Sequence, residues 1–137
     1  MATATIRNTG AMKTVAAQYD FAKLGGAVAD YNLGVRIPAG AIIVNAFAHV
    51  QTAATSADST ATIALKAETA NNIFTAAAVS GAPWSTTGMK LAIPDLATVA
   101  DYKSISAEAE LIMSIAVQAL TAGKINFFVT YVINATA

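Results

Sequence analysis

Cysteine is absent from this chain, and histidine occurs once, at position 49. Without cysteine there are no disulfide staples, no thiolate zinc sites and no thiol nucleophile. A lone histidine removes multi-histidine metal centres, and no acid at a local spacing orients His49 for catalysis. Charge is scarce as well. Only 12% of residues carry it, against about 25% in an ordinary soluble domain. The eight basic and eight acidic residues cancel. That balance argues against a nucleic-acid binder, which needs a basic patch, and against a polybasic membrane anchor. No uninterrupted apolar run reaches about 18 residues, so no membrane-spanning helix is expected. The opening Met1–Arg7 has no continuous apolar stretch, so no secretory signal is expected either.

What is present is small and neutral. Of 137 residues, 33 are alanine and 16 are threonine. The length suits one domain and is enough to bury a sizeable core without a metal or disulfide. An isolated monomer normally carries more surface charge than this. A poorly charged, Ala/Thr-rich surface is easier to explain if much of it touches other protein.

Alanine favours helix, but the periodicity does not. From Ala41 to Gln51, Ile42, Val44, Ala46, Ala48 and Val50 alternate with Ile43, Asn45, Phe47, His49 and Gln51. Two-residue alternation of this kind reads as strand. It recurs over Thr60–Glu68, over Leu111–Gln118, over Ile125–Asn134 and over Ala27–Ile37, with a weaker candidate at Met12–Tyr19. Turn chemistry separates the runs at Gly25-Gly26, Pro38-Ala39-Gly40, Ser56–Ser59, Asn71-Asn72, Gly81-Ala82-Pro83 and Thr121-Ala122-Gly123. Short strands with regular turns predict an all-β, antiparallel, jelly-roll-like β-sandwich. Residues 1–11 are expected to form an extended N-terminal arm, and residues 12–137 a single β-sandwich domain. Residues 109–134 read as a hairpin closed by Leu120–Lys124, with Gly123 supplying a positive φ. Residues 74–102 read as long loops with at most one short strand or helical turn.

No nucleophile elbow, zinc-protease pair, P-loop or dinucleotide fingerprint occurs. Glu108 and Glu110 share a strand face, and Asp95 and Asp101 would meet only through folding. Both pairs read as solvated charges rather than an acid–base or calcium pair. Asn134-Ala135-Thr136 matches a glycosylation sequon with no accompanying signal. Trp84 follows Pro83 in a loop, where it reads as a plug for the open end of a sandwich, or else as an exposed anchor for a glycan or partner. The informative residues are Ile43, Phe47, Phe128 and Val132. They fall on the parity opposite the purely apolar strand faces, where a sandwich is ordinarily wet. As a side-by-side patch they would be sticky, which marks them as a candidate subunit interface, the alternative being cover by the 74–102 loops.

Ile37-Pro38-Ala39-Gly40-Ala41-Ile42-Ile43-Val44, then Ala61–Leu65, then Ala119–Ile125 with an aromatic-rich last strand, resembles the capsid cement or decoration proteins of podovirus-like tailed bacteriophages, the Bordetella phage type included. The resemblance spans about residues 20–134 and brings no catalytic motif and no cofactor. It implies a jelly roll on the outer surface of the virion shell. There it would bind the major capsid protein, bridge neighbouring capsomers and hold the shell against internal DNA pressure. Self-association is implied too, as a homodimer or, in other lineages, a trimer. No direct nucleic-acid or membrane partner is expected. The alternative is a head-fibre or receptor- or glycan-binding module built around Trp84. A small hydrolase would have to rest on His49 alone.

Overall fold

The computed structural model describes residues 12–67, 73–92 and 103–133, so the expected arm at 1–11 lies outside the described residues. Nine strands are described: β1 (Met12–Asp20), β2 (Ala29–Ile37), β3 (Ala41–Ser56), β4 (Thr62–Lys66), β5 (Phe74–Ala78), β6 (Gly88–Leu91), β7 (Lys103–Ser104), β8 (Ala109–Ala116) and β9 (Leu120–Ile133). One helical turn, α1 (Phe21–Leu24), follows β1, with the Asp20 carboxylate accepting from the Ala22 N–H at its start.

The first sheet runs β1-β9-β3-β6, with β7 also on β3; the second runs β2-β8-β4-β5. Every pairing is antiparallel. The pairs are nested along the chain: β4 with β5, β3 with β6, β2 with β8, β1 with β9. Laying the nested pairs alternately in two sheets yields an antiparallel jelly-roll β-sandwich, as the alternation and turns lead one to expect.

Inward-facing side chains from both sheets make one core. Val50, Ile125, Phe127 and Val129 come from the first sheet, and Ile63, Leu65, Phe74, Leu111, Met113 and Ile115 from the second. In β9 the alternation seen in the sequence is the alternation of burial, from Ile125 to Tyr131. Trp84 joins this core, fully buried, with its ring centroid 5.3 Å from that of Phe74 and 6.0 Å from that of Phe127.

Three expectations need correction. Residues 109–134 are not a hairpin: β8 belongs to the second sheet and β9 to the first. The chain crosses between sheets at Val117–Ala119, where Val117 has φ 73 and the Gln118 N–H donates to the Ala116 carbonyl at 2.9 Å. The Thr121-Gly123 signal marks an irregular stretch of β9 instead, where the register with β3 shifts and Gly123, at φ 150, passes Ala54 and Tyr19. Second, the 74–102 region holds two strands, β5 and β6, while 93–102 lies outside the described residues.

Third, Ile43 lies in the core, 1% exposed, not on the outer face. The β3–β9 register shifts between Ile43 and Asn45. A bulge adds one residue to a strand and so exchanges its faces. Before the shift Ala41 and Ile43 point inward; after it Ala46, Ala48 and Val50 do. An alternation read at constant parity cannot register that exchange.

Candidate functional site

Cross-strand register lines up the outer face of the first sheet in rows. One row runs Ala16, Phe128, Phe47, Leu91 across β1, β9, β3 and β6. Phe47 and Phe128 stack within it, centroids 4.8 Å apart and planes 16° apart. The next row runs Gln18, Asn126, His49, Met89, and the Gln18 amide Nε2 donates to Asn126 Oδ1 at 2.8 Å. On the other side of the aromatic row lie Thr14, Thr130 and Asn45, with the two threonine hydroxyls 2.8 Å apart. Beyond them come Met12, Val132 and Ile42. Leu91 is 70% exposed and Met12 69%. An open groove of about 190 Å³ lies beside the aromatic row, lined by Asn45, Phe47, Met89, Lys90 and Leu91.

The structure therefore brings Phe47 and Phe128 into direct contact and sets Val132 on the same face, two rows away. Ile43 is the exception, and Ile42 occupies the outer position beside Val132 in its place. Met89 and Leu91 were hidden in what reads as a loop. Their only signal is two large apolar groups two residues apart, at Met89 and Leu91.

The outer face of the second sheet has the opposite character. Lys66 pairs with Asp30 at 2.9 Å, and the Ser114 hydroxyl donates to Asp30 at 2.6 Å. These two hydrogen bonds, Ser114's foremost, hold the Asp30 carboxyl below the usual carboxylate range. Arg36 pairs with Glu108 at 2.7 Å and with Glu110 at 3.1 Å, and the Asn32 amide donates to Glu110. The hydrogen bond to Glu108, with the charge of both carboxylates, raises the Arg36 guanidinium pKa. Glu108 and Glu110 are thus arranged around a cation. Every ion pair among the described residues belongs to strands or strand ends of the second sheet. One face of the sandwich is dressed with ion pairs, and the other carries an aromatic row flanked by polar rows that hold no ion pair among the described residues.

Trp84 offers no ring to a sugar, because it is buried in the core; its indole Nε1 has no hydrogen-bond partner among the described residues. The same described residues contain no group of three or more His, Asp or Glu placed to hold a metal ion.

Scans of protein families and of curated proteins return no match. Solved structures do match, over nearly the whole chain. The capsid of Ralstonia phage GP4 contains a chain with TM-score 0.69 and 15% identity, covering 99% of this chain and 93% of that one. The cyanophage Pam1 capsid asymmetric unit gives TM-score 0.68 and 19% identity over 97% and 92%. The acid-stable capsid of Helicobacter pylori bacteriophage KHP30 gives 0.63 and 17% over 90% and 89%. All three are phage capsid structures. At such identities the likeness is one of fold: this jelly roll is a fold that those capsids contain.

Proposed function

We propose that this protein is a non-enzymatic structural component of a phage head, a cement or decoration protein seated on the outer surface of the major capsid shell. The observation that carries the reading is the contrast between the two sheets. A sandwich in water has polar outer faces. The second sheet meets that rule with its ion pairs, and the first breaks it with Phe47, Phe128, Leu91, Met89, Val132, Ile42 and Met12. Large apolar side chains in rows bordered by polar ones, on a face open to solvent, mark a protein contact. The fold shared with chains of three phage capsids supports a capsid protein as the partner.

The mechanism is additive. Covering apolar surface contributes about 25 cal/mol per Å², and much of that gain is offset by the lost freedom of association. Each copy therefore adds a modest contact across a capsomer seam. Many copies raise the cost of opening any one seam, and internal DNA pressure is distributed over the lattice.

The test is binding to purified shells that lack the protein. Wild type should saturate them, and Phe47→Asp should lose most of its occupancy while keeping a wild-type circular dichroism spectrum. Full occupancy by a folded Phe47→Asp variant would refute this face as the docking surface.

A further inference from the structure

The two sheets end in four edges, and three of them are guarded. Natural sheets blunt their edges with charges, bulges, glycine or short strands, because an open edge is a template for another strand. In β2 the register breaks between Asn32 and Arg36, Gly34 sits at φ 79, and Asp30 and Arg36 add charge. β5 has five residues and a register shift against β4; β6 has four residues, one of them Lys90. β1 is different. It pairs with β9 from Met12 to Asp20 without a break, and among the described residues β9 is the only strand hydrogen-bonded to it. Among the described residues no backbone hydrogen bond ties its far edge to another element. Between Lys13 and Asp20 it carries no charge, proline or glycine.

The charges at its ends are opposite in sign. Laid antiparallel on itself, with Ala16 facing Ala16 across a two-fold axis, the strand sets Thr14 against Gln18 and Met12 against Asp20. Lys13 then falls against Tyr19, adjacent to Asp20 of the second copy. A parallel arrangement would instead put like charges together. Faces are kept as well, since residues of equal parity meet. The partner that fits this edge is a second copy of the same strand.

We infer that the protein self-associates through β1, two copies joining their first sheets into one continuous sheet. The axis stands perpendicular to the sheet, so both Phe47–Phe128 pairs face the same side. That dimer deepens the proposed role: two docking faces held in one plane would bridge two shell subunits, the second engaged at high effective concentration. The bridging consequence rests on the capsid reading, whereas the pairing itself does not.

Sedimentation of the purified full chain over a concentration series tests the pairing. Wild type should show a monomer–dimer equilibrium. Ala16 is exposed and would sit on the axis, so Ala16→Lys and Ala16→Glu each place like charges directly opposite. Each should weaken the dimer by roughly fivefold or more. Mixing the two variants should restore association as a heterodimer, an outcome that misfolding would not produce. Phe47→Asp should leave the dimer intact. A wild type that stays monomeric, or a dimer lost with Phe47→Asp and kept in both Ala16 variants, would overturn the inference. A β1 dimer that fails to bind shells would leave the pairing standing and remove the capsid reading instead.

Discussion

Phe47 and Phe128 stand directly opposite one another in the β3–β9 register, stacked on the outside of the sandwich, while Ile43, four residues from Phe47, is inside it. The two positions should therefore respond differently to truncation. Ile43→Ala opens a cavity in a packed core and should cost about 2–5 kcal/mol. Phe47→Ala loses a partly exposed ring and its stacking contact, and should cost less, about 1 kcal/mol beyond the area uncovered. Thermal or urea unfolding of the two variants checks the order, and equal losses would return Phe47 to the core.

Tyr19 makes the fold sensitive to alkali. Its hydroxyl donates to the Gly25 carbonyl at 2.6 Å, and burial foremost, with Tyr31 and Asp20 adding, pushes its pKa up to about 12. A raised acid is protonated more readily in the folded state. Its contribution is whole below about pH 10 and is lost as pH rises through about 12. Tyr19→Phe should remove a tyrosinate that forms near pH 12 from the absorbance titration. It should also cost about 1 kcal/mol at neutral pH through the lost hydrogen bond.

Asp30 acts at the other end of the scale. Its carboxyl is held low by Ser114 and Lys66, so the folded state favours the ionised form. That contribution is complete above about pH 5 and disappears as pH falls through the lowered value. Asp30→Asn should flatten the acid limb of the stability–pH curve. The group is exposed, so the effect at neutral pH should be small. Urea midpoints across the acid range supply the measurement.

Val117 occupies a backbone region that β-branched side chains avoid, φ 73, and is 71% exposed. Val117→Gly should relieve local strain of about 1 kcal/mol and raise the melting temperature, although part of the gain is returned through the freer unfolded chain. A lower melting temperature would mean that the turn tolerates valine without strain.

The strands of the second half were legible because their alternation is unbroken. Leu111, Met113 and Ile115, then Ile125, Phe127, Val129 and Tyr131, are apolar on one parity and buried on that parity. The β3 strand misled because its bulge exchanges faces at Asn45, an event set by its pairing with β9 and not by local composition. The 109–134 hairpin misled for a related reason: Gly123 has turn chemistry but serves an irregular stretch within a strand. Phe47 and Phe128 were legible as large rings on the wrong parity. Their contact was not, because only the register between distant strands brings them together. Met89 and Leu91 were lost because four residues are too few to establish a period.

Nested pairing also orders events in time. β4 and β5 are neighbours in the chain and close a short loop, whereas β1 and β9 are separated by almost its whole length. Non-local pairings of that kind slow folding, since loop closure precedes any contact it enables. Assembly from the inside outward leaves β1 as the last strand to dock. Under the proposed β1 pairing, a half-folded chain has no finished edge to offer a sister chain, so maturation of the monomer would come before association.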